Sequence, residues 1–474
     1  MKINRTNCTN TFGKGRKNIA KTTILIGTRE EKSMKRKALS ILLVAAMTAT
    51  MVMGCGTGKG SSSNGGTQAG DPTAGEDEHT LSVNAWDKNF NIPALQAAAD
   101  DYKKNVDPDF NLKINEVAQS SDIENAVTLA ASAGDYSTLP DIVLFQDHWA
   151  HKYISDYPDA FQNIDDIDID WSDFASEKVS YSTIDNKHYG VPVDNGTVIC
   201  AYRIDLLEQA GYTIDDLTGC TWDKFIEIGE KVNEKTGKYL LSMDGDGNDL
   251  VYMMLQAEGE SQFKDGKPYI ADNEKLVKIV EIINEMVQKK VLYLANDWND
   301  YTDQTIIGDM VAGVMNGNWI IPTIEQVKEN SGKWEITSMP TLEGGEGYAS
   351  NGGASLYVTA NCKNPDLAKK FLAYTFGGSS TTYDAALKNG GVITTCISAG
   401  KSDAYNEGVA YFNNTPIYAQ IVEMGSHVPV VEQSDYHYTC REKVAAAIIN
   451  ITGGADVKSE LKNAEDQLNF EMGN

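Results

Sequence analysis

LSVNAWDKNFNIPALQAAADDYKKNVDPDFNLKINEVA (Leu81–Ala118) sets out an alternation that the rest of the chain extends. Leu81–Trp86 reads as a short strand and Ile92–Lys104 as a helix. Asn111–Ala118 reads as a second strand, with Leu112 and Ile114 alternating with polar residues. Asp122–Ala133 is then helical, and DIVLF (Asp141–Phe145), entered after Pro140, is a fully apolar strand. Strand, helix, strand, helix, strand predicts a parallel α/β sheet.

The pattern continues outward. YGVPVDNGTVICAYR (Tyr189–Arg203) is a strand region broken at Pro192 and Gly196. A helix starts after a Thr221 cap, and Leu276, Ile279, Val280, Ile283, Met286 and Val287 fall on one face of another. AGVMNGNWII (Ala312–Ile321) is a strand ending in a turn; Trp334–Pro340 and Gly352–Thr359 are further strands. NPDLAKKFLAYTF (Asn364–Phe376) opens with an Asn cap and Pro at the first helical position, and two more helices end the chain. The expectation is a two-lobed α/β protein without internal repeats.

The 474 residues give room for two or three domain-sized cores. The net charge of −26 is unevenly spread: residues 1–54 hold 11 of the 41 Lys/Arg and 2 of the 67 Asp/Glu, leaving the remainder near −35. Such a body repels phosphate backbones and anionic lipid surfaces, which argues against a nucleic-acid partner. None of the seven cysteines forms a CxxC pair, so zinc and thioredoxin-type chemistry has no support, and neither a cofactor nor a metal is expected. Five cysteines follow Cys55 and read best as small buried residues, with one disulfide left open.

MKRKALSILLVAAMTATMVMGC (Met34–Cys55) has a positive start, an uncharged stretch over Ala38–Gly54 and a terminal Gly-Cys, the form of a secretory signal. Its end resembles a bacterial lipobox, which implies lipidation at Cys55; Gly54 and Cys55 match the pattern, and Met53 departs from its usual small residue. Residues 1–33, polar and basic, read as a non-native upstream extension, and 34–54 as the signal peptide. Residues 55–78, rich in Gly and Ser, read as a tether with an end-to-end distance of about 25–30 Å.

Several stretches in order carry a resemblance: YGVPVDNGTVICAYRIDLLEQAGY (189–212), TWDKF (221–225), GVMNGNWII (313–321), GGASLYVTANCKNPDLAKKFLAYTF (352–376) and VPVVEQSDYHYTCREKVAAAIINITGGADVKSELKNAEDQL (428–468). Together with the lipoprotein signal they resemble the extracellular solute-binding proteins, family 1, the maltose-binding-protein-like sugar receptors of ABC importers. The resemblance implies a type II periplasmic-binding-protein-like fold, two α/β lobes with a ligand cleft between them. On that reading residues 79–190 and about 347–385 form lobe I, and 191–346 and about 386–474 form lobe II. The chain would cross near Val191–Gly196, Asn351–Ser355 and Ala385–Thr394. It further implies a carbohydrate ligand, permease subunits as partners, a lipid-anchored extracellular location and a monomer.

A sugar site needs aromatic rings for the C–H faces and Asp, Asn, Gln or backbone groups for the hydroxyls, placed at strand ends. NAWDKN offers Trp86 and Asp87; FQDHW offers Gln146, Asp147, His148 and Trp149; NGNW offers Asn316, Asn318 and Trp319. Family resemblance implies sugar stacking at Trp319. Asp194 and Asn195 follow the crossing strand, Asn351, Gly352 and Gly353 open the return strand, and Tyr436, His437 and Tyr438 precede a late helix that faces the cleft in the family. Trp222 and Trp334 read as structural, and Trp171 and Trp298 are left unassigned.

DGDGND (Asp244–Asp249) matches the first three ligand positions of a calcium loop, but Asp249 stands where Gly is needed and Leu255 where Glu is needed. A polar turn or helix start is the better reading. No GxSxG or HExxH occurs in residues 79–474. A glycoside-active enzyme with a carboxylate pair, and a surface adhesin or sensor subunit, remain the alternatives to a transport receptor.

Overall fold

The computed structural model describes residues 78–244 and 248–473. The upstream extension, the signal, Cys55, the tether up to residue 77, and Asp246 lie outside the described residues.

Strands β1 (Thr80–Ala85), β2 (Asn111–Glu116) and β3 (Ile142–Gln146) alternate with helices α1 (Asn91–Asn105) and α2 (Ser120–Ala133). Next come α3 (Asp147–Asp156), α4 (Ser176–Tyr181) and β4 (Gly190–Pro192). The chain then enters β5 (Val198–Arg203), α5 (Trp222–Thr236), α6 (Asn248–Ala257), α7 (Glu274–Gln288), β6 (Gly313–Gly317) and β7 (Trp334–Thr337). It returns through β8 (Ala354–Val358), α8 (Pro365–Tyr374) and α9 (Ser380–Gly390), and ends with α10 (Ile417–Ser426), α11 (His437–Thr452) and α12 (Val457–Met472). Among the described residues, no helix is long and apolar enough to cross a membrane.

The first sheet has the order β2-β1-β3-β8-β4. Strands β1, β2 and β3 are parallel, as the alternation with helices requires, with Thr80 opposite Asn111 and Ala85 opposite Glu116. The sheet is mixed rather than all-parallel, because β8 arrives from the second lobe and runs antiparallel to both β3 and β4. The second sheet, β6-β5-β7, is antiparallel throughout.

The inner strands β1, β3, β5, β6 and β8 are buried on both faces, which explains their near-continuous apolar character, whereas the edge strand β2 alternates and leaves Asn111, Lys113 and Glu116 exposed. In β3, Ile142 and Leu144 join one core while Val143 and Phe145 join the core under α2 and α3. In β5, Ile199 and Ala201 face the first core, and Val198, Cys200 and Tyr202 face the second, built on α5, α6, α7, α11 and α12. The helix caps follow local chemistry: Thr221 Oγ1 accepts from Lys224 N at 3.2 Å, and Asn364 Oδ1 from Leu367 N at 3.2 Å. Helix α9 packs on α1, and residue 385 lies within α9. The five cysteines after Cys55 are free in this structure, four of them buried and Cys220 partly so.

The crossing segments are fastened by one buried ion pair. Lys178 Nζ lies 2.8 Å from Asp147 Oδ2, with both side chains inaccessible to solvent. Lys178 also donates to Gly352 O at 3.0 Å, and Asp147 Oδ1 accepts from Ser355 Oγ at 2.7 Å. Gly353 has φ +96°, and a Cβ there would stand 2.6 Å from Asp147 Oδ2, so only glycine lets the return strand pass over the pair. Removing one partner leaves an uncompensated buried charge. Lys178→Met is expected to lower the unfolding free energy by about 3–5 kcal/mol, read as an earlier urea midpoint at unchanged slope.

Candidate functional site

A cavity of about 680 Å³ lies where the first lobe, the second lobe and the crossing segments meet. Its first-lobe wall is the loop between β1 and α1. Asp87 takes φ +61°, a left-handed conformation that Asp tolerates, and its carbonyl accepts from Phe90 N and Ile92 N at 3.3 and 3.2 Å. The tight turn brings Trp86, Asp87 and Phe90 to the cavity, and Gln146 joins them from the end of β3.

The second-lobe wall carries Trp319 and Trp298. Their ring centroids are 5.8 Å apart at 38°, and Trp298 is 43% exposed. Trp319 Nε1 donates to Asn351 O at 2.7 Å, which fixes the plane of its ring. Trp298 precedes a π-helical turn, Asp300–Ile307, whose Tyr301 hydroxyl accepts from Asn316 Nδ2 at 3.1 Å. Such turns are often found at functional sites.

Asn351, Gly352 and Gly353 on the return segment line the cavity. Asn351 Nδ2 donates to Asn316 Oδ1 at 2.8 Å and to Asp249 Oδ2 at 3.0 Å. Asp249, in the first turn of α6, is ion-paired with Arg441 on α11, and both line the cavity with Tyr438. Asp194 lines it too; its Oδ1 accepts from Ala354 N at 2.6 Å. Burial pushes the Asp194 carboxyl up to about 7 against the pull of Lys178.

The structure thus gathers Trp86, Asp87, Gln146, Asp194, Trp319, Asn351, Gly352, Gly353 and Tyr438 along one cavity. It places five other residues named from the sequence behind its wall. Asp147 begins α3 and is consumed by Lys178 and Ser355. Trp149 backs Tyr438, with centroids 4.4 Å apart. Asn195 ties two crossings, Nδ2 donating to Thr394 O at 3.2 Å and Oδ1 accepting from Thr197 N at 2.9 Å. Asn318 is buried in the turn after β6, its N–H donating to Thr197 O at 2.8 Å. Tyr436 packs on the second-lobe core. His437 and Tyr438 do not precede the late helix as expected but form its first turn, which is why Tyr438 is aimed firmly at the cavity.

Sequence reasoning missed Phe90, Trp298, Asp249 and Arg441. Trp298 carried a usable signal, an aromatic among Asn and Asp just after the short strand Leu292–Leu294. Asp249 lies in the stretch read as a polar turn or helix start, and α6 does start at Asn248, with Leu255 a buried helical residue; its place in the cavity was not foreseen. Arg441 had no local signal.

Beside the cavity two imidazoles stack across the lobes. His148 on α3 and His437 on α11 lie 4.5 Å apart at 9°, both buried. Neither His148 nitrogen has a partner among the described residues, while His437 Nε2 faces Arg441 Nη1 at 3.4 Å. The rings of Tyr181, Tyr252 and Tyr438 surround them, and the charges of Lys178 and Arg441 stand nearby. Burial holds His437 down at about 3 and His148 well below its usual value, with His437 and the two cations adding to the effect on His148.

A profile of the bacterial extracellular solute-binding protein family matches residues 97–413. The lactose-binding protein of Rhizobium radiobacter is 32% identical over 390 residues, 82% of this chain and 92% of that one. The arabinooligosaccharide-binding protein of Bacillus subtilis (strain 168) is 24% identical over 356 residues, 73% of this chain and 77% of that one. Among solved structures, the ABC transporter associated binding protein from B. animalis subsp. lactis Bl-04, in complex with beta-1,6-galactobiose, superposes with a TM-score of 0.64 at 20% identity, over 83% of this chain and 97% of that one. That likeness carries the fold: two lobes of the type II periplasmic sugar-binding class. These relatives are binding proteins, not enzymes.

The buried histidines give a pH signature. Their folded values lie below the unfolded value of about 6.5, so the stability they allow is present in full above pH 6.5 and is lost as pH falls below it. Each imidazole is expected to remove up to about 1.4 kcal/mol per pH unit. Urea unfolding between pH 7.5 and 5 measures this, and His148→Phe, which keeps a ring in the stack, is expected to flatten the slope.

Proposed function

Because the chain belongs to the bacterial extracellular solute-binding proteins, we propose that its cleft captures a carbohydrate, an oligosaccharide, and hands it to the permease subunits of an ABC importer. The observation that carries this reading is the Trp319 ring, pinned through Nε1 to Asn351 O at 2.7 Å beside Trp298 and next to the carboxyls of Asp194 and Asp249. Flat apolar rings beside hydrogen-bonding groups match a pyranose, which has C–H faces and a hydroxylated rim. Trp86 and Phe90 on the facing lobe supply rings for the other side. Lobe closure around the sugar would exclude water from these contacts. The relatives named for lactose and arabinooligosaccharides support a short saccharide as cargo.

Cys55 carries the lipid in this reading, residues 55–78 are the leash, and the receptor works as a monomer on the outer face of the membrane. Multiple acyl chains hold a protein on a bilayer where one chain would not. Cys55→Ser is expected to move the protein from the membrane fraction into the medium, read by fractionation of expressing cells.

Calorimetry against lactose, beta-1,6-galactobiose, arabinooligosaccharides and maltodextrin tests the cargo. Saturable binding without product release is expected; release of reducing ends would favour an enzyme. Trp319→Ala should weaken binding of the preferred sugar by more than about tenfold with little loss of folding. Unchanged affinity would remove Trp319 from the site.

A further inference from the structure

We propose that the Asp249–Arg441 ion pair is the specificity-determining element of this cleft, reading two adjacent hydroxyls of the sugar ring that stacks on Trp319. The inference rests on the carbohydrate reading above and adds to it the chemical group recognised.

Both residues line the cavity, and neither is held as a surface ion pair would be. Arg441 is 4% exposed. Its Nε donates to Asn248 Oδ1 at 2.8 Å, Nη2 pairs with Asp249 Oδ1, and Nη1 faces His437 Nε2 at 3.4 Å. Its guanidinium carbon stands 5.3 Å from the Tyr252 ring and 5.6 Å from the Tyr438 ring. The fork is therefore immobilised before any ligand arrives, and little side-chain entropy remains to be lost on binding.

Asp249 is more open, with its side chain 23% exposed. One of its oxygens meets Arg441 and the other accepts from Asn351 Nδ2 at 3.0 Å. An ionised carboxylate offers about four acceptor positions, so both oxygens keep capacity for a hydroxyl. The two oxygens of one rigid carboxylate are matched in spacing by hydroxyls on neighbouring ring carbons. Asp249 faces the Arg441 guanidinium, and a charge-assisted acceptor makes a stronger bond to a hydroxyl than a neutral one.

Register is what turns this pair into a reader. Asn351 holds Asp249 through its side chain and Trp319 through its carbonyl. The stacking platform and the carboxylate are thus fixed to the same residue. A ring placed on Trp319 presents the same edge to Asp249 each time. If that edge lacks hydroxyls, the buried polar groups lose water without gaining a partner, and discrimination of this kind is strong.

The test uses the intact protein, with lactose or whichever sugar of the panel above binds tightest. Asp249→Asn and Arg441→Gln are each expected to weaken binding by about tenfold to a hundredfold. Mono-O-methyl derivatives, one for each ring hydroxyl, provide a readout on the unmutated protein. Methylation at two adjacent positions is expected to cost at least about tenfold, and in Asp249→Asn that penalty is expected to fall below about twofold. Folded variants that bind as the parent does, or a methylation penalty that survives in Asp249→Asn, would overturn this assignment alone. Failure of the parent protein to bind any sugar of the panel would overturn the carbohydrate reading and this assignment with it.

Discussion

Lys178 and Asp147, paired at 2.8 Å and closed off from water, are the point on which the cleft depends. They sit under Gly352 and Gly353, where the return strand passes from the second lobe into the first. Asp147 N also donates to Gly353 O at 3.0 Å, and Asn351 N to Gly196 O at 2.9 Å, so two crossing segments are bound to each other and to α3. A buried pair of this kind gains little over apolar packing but is severe to break, which makes it a device for specificity of position. What it positions is Asn351, and through Asn351 both Trp319 and Asp249.

The division of labour around that point is clear in chemical terms. Aromatic residues with exposed faces line the walls, while charged residues that would be costly as bare charges are paired or neutralised. Asp194 is pushed up to about 7 by burial, Asp249 is held by Arg441, and Asp147 is spent on Lys178. The stacked pair of His148 and His437 sits between the lobes, where burial and the nearby Lys178 and Arg441 charges disfavour a proton on His148.

Much of the fold was legible because strands and helices here obey simple periods. The spans read for the first five elements agree with the structure to within a few residues, since Leu81, Val83, Ile142 and Leu144 bury one face and helix caps such as Asn364 act locally. The cavity was legible in part for the same reason: strand ends with aromatic and polar residues, such as Trp86 with Asp87 and Trp319 within NGNW, project where sheets end. Asp147 and Asn195 have the right chemistry in the right loops, yet long-range partners claim their side chains, and Asn318 is buried in the turn with its Oδ1 unpartnered among the described residues. Sequence spacing contains no record of which polar side chain will be satisfied inside the protein.

The sequence by itself determined the alternating elements, because periodicity and capping are local properties, and its ordered motifs carried the family resemblance that the relatives bear out. The tertiary structure alone decided that α9 packs on α1, that Tyr438 lies within a helix, and that Asp249 meets Arg441 from 192 residues away in sequence. These outcomes depend on which surfaces pack and which charges are left without water. Such choices are made only when distant segments meet, and no window along the chain contains both partners.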